Sequence, residues 1–582
     1  MKQKSLSSIT LAAAALTLLL TAAAARPVTA SDTILAPAAQ AGTIAPAYQP
    51  SIILSTTSGR YRGLSRDGAL VWRGIPYGAP PVGALRWRAP EDPAVHPGIR
   101  PALEEITALQ PKGHTVIGSE DSLNLDIYRP DTQETNLPIL FYIHGGNNQM
   151  GSAAEFDGSL FAAREHAVVV AINHRLDILG FNPLPALHTG NQEEDSGNYA
   201  LLDIRKALDW TINNAETLGG NPDNITLSGF SAGGRDVLAV LTSPIFKGAF
   251  QKAISFSGGF TLTDLEAAQN IYADKLAPLA VADGIKANQE EAARWLKSDS
   301  PDVKTYLYSL PSERLIQVFG NGNIRMTGFP HLFADGATLP EGGASTAAFT
   351  DVPLLLVAAK DEFTLFSTND PYFAKAKKES LLFTDPEWRK QIDFTNRYGN
   401  ALYNYSNTDA VVHTLQGKYH SPVYIADISW GDDAALVGSQ FANEWGAHHG
   451  IFLPLLTDKP VYTSKLYPEP FIDAGPQALS KALQHYIGQF LRTGNPNGNG
   501  QPQWNPVGDK GNRLILTADK EHALIKEIQK QPDEDKILDD LAKDDTVTAE
   551  EKETILRRVL NGRWFSQKLD SRFHNRDQWI TK

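Results

Sequence analysis

The 582-residue chain contains no cysteine. That absence excludes disulfide staples, thiolate metal sites, a thiol nucleophile and a lipidated N-terminal cysteine. Basic residues are in deficit too: 53 Lys and Arg stand against 66 Asp and Glu, a formal net charge of −13. Without a basic field to displace phosphate counterions, nucleic acid is not expected as a partner. Beyond the first thirty residues no apolar run approaches the roughly 20 residues that span a bilayer. Internal repeats are absent as well. What remains is a long chain of 42% hydrophobic content, enough for a large core that needs no covalent crosslinks.

At the N-terminus, Lys2 and Lys4 precede the stretch ITLAAAALTLLLTAAAA. A positive start, a short alanine-rich apolar core and small residues at VTA (Val28 to Ala30) or AAA (Ala23 to Ala25) form the pattern of a secretory signal. Residues 1–30 are therefore read as a signal peptide, cleaved after Ala30 or Ala25. The mature protein is expected to be exported, periplasmic or secreted, from a bacterial source, with no membrane span after cleavage. Residues 31–50, rich in Ala and Pro, read as a flexible leader. Residues 51–525 read as one body, and residues 526–582 as a charged, partly helical tail. Within that tail Thr548 and Glu551 have capping-box spacing. The acidic run DEDKILDDLAKDD lacks the glycine and terminal glutamate of a calcium loop and reads as a solvated helix face.

Between these ends the chain alternates strand and helix patterns. PILFYIHGG and AVVVAINHR are continuous apolar runs, the mark of strands buried on both faces. YALLDIRKALDWTINNAETLGG has helical periodicity and stops at Gly219-Gly220. NITLSG reads as a further strand, and AGGRDVLAVLTSP as a further helix. This alternation predicts a doubly wound, mainly parallel sheet. Helical patterns dominate from about Leu262 to Ala348 and again from about Phe366 to Ala442, with the buried strand VPLLLVAAKDE between them. Such insertions usually fold over one end of the sheet and wall a cleft.

GFSAG, Gly229 to Gly233, sits where a buried strand turns into a helix. A serine there is lifted off the sheet edge by a strained turn whose flanking glycines let strand and helix backbones approach. A serine hydroxyl needs a base, and the base needs an acid to orient it. Asp361 and Glu362 follow the strand VPLLLVAA, and His448 and His449 lie in a glycine-flanked loop further on, in the order serine, acid, histidine. His144-Gly145-Gly146-Asn147 follows an earlier apolar run and offers backbone N–H groups for a developing oxyanion. His144 is read as structural.

These motifs, together with WRGIPYGAPPVGALRWRAP, SEDSLNLDIYRP, FADGATLP and LRTGNPNG, make the chain similar to the type-B carboxylesterase/lipase family, the cholinesterase-like branch of the α/β-hydrolases. The resemblance implies an α/β-hydrolase fold with helical insertions over an active-site gorge. It implies a serine carboxylesterase with Ser231 as nucleophile, Glu362 as acid and His449 as base. Backbone N–H groups of Gly146, Asn147 and Ala232 would form the oxyanion hole, with Gly145 in support. No metal or organic cofactor is implied. The expected partner is a small-molecule ester, and the expected assembly a monomer or homodimer. A specialised lipase, amidase or xenobiotic-ester hydrolase would share the triad. A non-catalytic binding relative would typically have lost one of its members.

The chain departs from the family pattern at two positions. Phe230 stands where the family usually has glutamate before the serine, and Phe452 where it commonly has glutamate after the histidine. In relatives those carboxylates share one buried polar network, so losing one strands the other, while replacing both is nearly neutral. A paired substitution is therefore expected, leaving a drier site. Apolar surroundings and missing carboxylates disfavour an imidazolium, so the base should stay active to lower pH than in glutamate-bearing relatives. With no carboxylate beside the serine and no tryptophan between Glu91 and Gly118, choline esters are disfavoured against neutral or anionic esters. Trp295, Phe329 and Phe333 are read mainly as core.

Overall fold

The computed structural model describes residues 48–458, 473–498 and 500–575. The signal segment and most of the leader lie outside the described residues. Eleven strands form the central sheet. In chain order they are β1 (Leu64–Arg66), β2 (Ala69–Pro76), β3 (Asn124–Pro130), β4 (Leu137–Ile143), β5 (Val168–Ile172), β6 (Gly220–Phe230), β7 (Lys252–Phe256), β8 (Leu354–Ala359), β9 (Val423–Ile428), β10 (Asn512–Ala518) and β11 (Ala523–Gln529). Their order across the sheet is β11-β10-β9-β8-β7-β6-β4-β5-β3-β2-β1. Strands β5 through β10 with β4 run parallel, and antiparallel pairs close both edges.

The central strands are apolar along their whole length because helices cover both faces. Every residue of β4, β5, β7 and β8 is buried. On one face lie α1 (Tyr199–Asn214) and α2 (Ala232–Thr242), within a cluster that includes Ile204, Leu208, Val237 and Leu241. Phe329 and Phe333 are fully buried in the same cluster, and Trp295 packs on its margin, as core residues. The opposite face holds a second cluster, in which Leu479, Leu483 and Phe490 of a long helix (Ala474–Thr493) meet Phe230, Phe256 and Phe452.

The segment after β8, expected to be helical to about residue 442, differs in one respect. It contains α3 (Pro386–Asn407), which Asp385 caps through the amides of Glu387 and Trp388, but β9 interrupts it. VYIADI is fully buried between β8 and β10. Its short apolar run with β-branched residues and a preceding Ser421-Pro422 is strand-like, and the surrounding helical periodicity masks it.

Beyond residue 525 the chain is woven into the body. Strand β11 crosses that position in register with β10. Among the described residues three helices follow: α4 (Glu534–Lys543), α5 (Ala549–Arg558), opened by the expected Thr548/Glu551 capping box, and α6 (Gln567–Phe573). Leu538, Leu541, Ile555, Val559, Trp564, Phe565 and Leu569 are buried in a third cluster with Phe363, Phe394 and Tyr403. The segment's many charges lie on outer faces, as in the Lys536–Asp540 and Arg557–Glu553 pairs, one turn apart.

Candidate active site

Ser231 begins α2 at the C-terminal end of β6, with φ 54° and ψ −114°. A non-glycine residue with this backbone stores on the order of 1–3 kcal/mol of strain, held by its surroundings. Its own N–H donates to the carbonyl of Phe256 at 2.8 Å. The flanking glycines are sterically required. A Cβ on Gly229 would lie 2.3 Å from the Gly233 carbonyl oxygen, and one on Gly233 would lie 2.3 Å from the oxygen of Ile143.

Gly146 and Asn147 follow β4 with φ 104° and 59°. Among the described residues, no group accepts from their N–H groups. The loop is tied down around them. Gly145 N–H donates to Glu155 at 3.1 Å, and Asn148 Nδ2 donates to Asp236 Oδ1 of α2 at 2.9 Å. That second bond joins the loop to the helix that Ser231 opens, whose first N–H, on Ala232, has no intrahelical acceptor. Gly145 also makes room for its neighbour: a Cβ there would come within 2.7 Å of the Phe230 ring. His144 is fully buried, stacks on His174 at 4.7 Å and bonds the Gly145 carbonyl through Nδ1. Burial pulls it below the usual histidine range, consistent with a structural part.

Glu362 follows β8 and is completely buried. Its two oxygens have separate partners: Oε1 accepts from the N–H of Ala359 at 2.8 Å, and Oε2 meets His449 Nδ1 at 2.5 Å. His449 is 5% exposed, and its Nε2 is buried without a hydrogen-bond partner among the described residues. Asp361 holds the backbone of the histidine loop through Ala447 N–H at 2.9 Å. Burial pushes the Asp361 carboxyl up to about 6. His448 turns away toward Trp445 and Phe441, and burial pulls it down to about 4.

The two phenylalanines meet. Phe230 lies edge-to-face with Phe452 at 5.1 Å and tilts against the His449 ring at 4.8 Å. Phe452 in turn stacks flat on Phe256 at 4.1 Å. Such pairs contribute about 0.5–1.5 kcal/mol each beyond area burial. Phe256, the third member, carried no motif signal, and its position on β7 beside Phe230 of β6 is a matter of register.

Other residues of the site lay outside the sequence reading. Phe366 and Tyr403 also border the His449 ring, the latter stacked at 5.3 Å. Tyr403 belongs to an unusually polar face of α3. Asn400 accepts from the N–H of Phe363 and Thr364, and Asn404 donates to the Ala359 carbonyl at 3.0 Å. Gly399 on the same face accommodates the Phe363 ring, which a Cβ would strike at 2.3 Å. Gly and Asn repeated at helical spacing in a buried helix were the signal. Arg235, one turn after Ser231, is buried among His331, Met326 and the face of Trp564, 4.2 Å away. Burial pulls its guanidinium down to about 10.

The loop from Gly320 to Phe329 approaches the same region, donating Gly322 N–H to Gln149 at 2.9 Å, while Gln149 also receives Asn147 Nδ2. It is joined to the C-terminal segment by an antiparallel bridge between Arg325 and Arg563 and by Met326 N–H to the Gly562 carbonyl. The site thus combines loops after β4, β6, β8 and β9 with both insertions and the end of the chain.

The carboxylesterase family model matches residues 50–420. The chain belongs to the carboxylesterase family. It is 30% identical over 471 residues to a para-nitrobenzyl esterase of Bacillus subtilis, covering 76% of this chain and 90% of that protein. A mouse acylcarnitine hydrolase is 38% identical over 508 residues, covering 78% and 83%. A solved PNB esterase structure superposes with a TM-score of 0.63 at 27% identity, over 82% of this chain and 97% of that one. This carboxylesterase accordingly has the α/β-hydrolase fold and is a carboxylic ester hydrolase.

Proposed function

We propose that ester hydrolysis runs through Ser231, His449 and Glu362. The observation that carries this reading is the division of labour at His449. Its Nδ1 is committed to Glu362, which fixes the tautomer, and its Nε2 lone pair is left for a proton. Ser231 attacks the ester carbonyl carbon as its proton passes to Nε2. The oxyanion is received by the N–H groups of Gly146, Asn147 and Ala232, held in place before reaction by the Asn148–Asp236 bond. The intermediate collapses, the C–O bond to the alcohol breaks, and Nε2 returns the proton to the departing oxygen. Water then deacylates the serine by the same steps.

For substrate class we infer neutral or anionic esters. The Phe230, Phe256 and Phe452 rings are buried against one another, so they form no open aromatic cage for a quaternary ammonium, and no carboxylate stands at positions 230 and 452 to pair with its charge. We infer export as well, from the N-terminal pattern. No helix among the described residues is long and apolar enough to cross a membrane.

The deciding experiment is fluorophosphonate labelling of the wild type and Ser231→Ala, followed by an ester panel of increasing acyl length and charge. Labelling and turnover in the wild type, both lost in the alanine variant, are expected. A folded wild type that takes no label refutes the assignment.

A further inference from the structure

We propose that Tyr403 is a further catalytic residue, whose hydroxyl donates a hydrogen bond to the departing alcohol oxygen as the tetrahedral intermediate collapses. The proposal rests on the assignment of Ser231 and His449 above and extends it to the leaving-group side.

Three observations converge on it. Tyr403 is completely buried, and its ring stacks on the His449 imidazole with an interplanar angle of 27°. The phenol therefore runs alongside the base. Its hydroxyl comes within interaction range of the Ser231 hydroxyl, yet it forms no well-made hydrogen bond with any described residue. Leaving a buried hydroxyl unsatisfied costs stability, so a native protein that keeps one there calls for an explanation. Nε2 of His449 is also unpartnered. The leaving oxygen must come to Nε2 for its proton, and a phenol stacked on that imidazole and ending at the serine places a second donor beside it.

Its surroundings suit a donor. Phe565 also stacks on Tyr403 at 4.7 Å and Trp564 packs T-shaped against it at 5.6 Å, so the ring has little freedom to swing away. Burial holds the phenol well above its ordinary range, with the Glu362 charge adding to the effect and Arg235 opposing it, so it stays protonated. In the step itself, the C–O bond breaks and its electron pair goes to the alcohol oxygen. The proton from Nε2 neutralises that oxygen. Tyr403 keeps its own proton and stabilises the charge only while it develops, as an oxyanion donor does on the other oxygen.

The test uses Tyr403→Phe and pairs of esters sharing one acyl group. Alkyl alcohols are poor leaving groups and need this help, whereas p-nitrophenoxide leaves unaided. The variant is expected to lose about 10²-fold in kcat/KM on ethyl esters while keeping most of its p-nitrophenyl activity. Because the deleted hydroxyl makes no well-formed hydrogen bond, its Tm should not fall. Equal losses on both esters would mean that the ring only props the histidine, and no loss on either would mean that the hydroxyl does nothing. Each result overturns the proposal. Fluorophosphonate labelling of wild type and Tyr403→Phe, with Ser231→Ala as the blank, verifies the nucleophile independently. An unselective but labelled Tyr403→Phe therefore refutes Tyr403 alone.

Discussion

Replacing Glu362 by glutamine looks conservative, yet the structure makes it a severe change. Oε1 receives the Ala359 amide and Oε2 faces His449 Nδ1. A glutamine must place its carbonyl oxygen on the Ala359 N–H, because an amide nitrogen cannot accept that bond. Its NH2 then points at Nδ1, which becomes the acceptor, and the imidazole proton moves to Nε2. A protonated Nε2 cannot take the serine's proton. The expected loss in kcat is about 10⁴-fold, equivalent to about 5.5 kcal/mol at roughly 1.4 kcal/mol per decade. Glu362→Ala leaves the imidazole free to choose its tautomer while Phe230, Phe366 and Tyr403 still hold its plane. It should therefore be no worse than glutamine. Steady-state hydrolysis of a p-nitrophenyl ester, with denaturant unfolding to confirm that both variants are folded, measures this. Glutamine activity within about tenfold of wild type would refute the tautomer argument.

Phe230→Ala and Phe452→Ala should each destabilise by about 3–5 kcal/mol, and by about 0.5–1.5 kcal/mol less than additively together. Urea unfolding of both singles and the double gives the coupling, and strict additivity would deny that they act as a pair. Phe230→Glu/Phe452→Glu should move the acidic limb of the pH–rate profile to higher pH, since carboxylates beside the imidazole favour its charged form. Asp236 is pushed up to about 7 by burial, against the pull of the Asn148 bond and Arg235. A carboxyl held above its unfolded value contributes stability fully below the unfolded range and loses that contribution as pH rises through about 7. Asp236→Asn should flatten the fall in stability between about pH 4 and 7 in denaturation series, and an unchanged slope would contradict the assignment. Arg563→Ala leaves the buried Asp370 carboxylate without its 2.8 Å partner, at an expected cost of about 3–5 kcal/mol in chemical unfolding; a loss under about 1 kcal/mol would show that Arg325 suffices.

The parts of the site legible in sequence are those fixed by local backbone demands. Gly229 and Gly233 declare themselves because the turn around Ser231 tolerates nothing larger there, and Gly145 to Asn147 because a Gly-Gly-Asn run follows a buried strand, with positive φ at Gly146 and Asn147. Order along the chain narrows the acid to Asp361 or Glu362 and the base to His448 or His449, and it is the family resemblance that implies Glu362 and His449. The pairing of Phe230 with Phe452 was readable as two departures from one pattern. Phe256, Phe366 and Trp564 are not readable, since the role of each depends on sheet register or helix docking, and Tyr403 is signalled only indirectly, by the Gly and Asn residues that share its helix face. The parallel sheet was evident from its uninterrupted apolar strands, except β9, which sits amid helical periodicity. The segment after residue 525 looked solvated because its charges are many. Its few apolar residues, spaced at helical intervals, are the ones that pack.

The Trp564–Phe565 contacts have a consequence in time as well as in space. The stack behind the histidine runs from His449 through Tyr403 to Phe565, and the loop beside Asn147 is bridged to Arg563. Serine, glutamate and histidine have all emerged by residue 449 of a 582-residue chain, yet their backing arrives over a hundred residues later. A nascent or C-terminally clipped chain would carry Ser231, Glu362 and His449 without the wall that holds them, and hydrolysis through the proposed triad would wait until the last segment is in place.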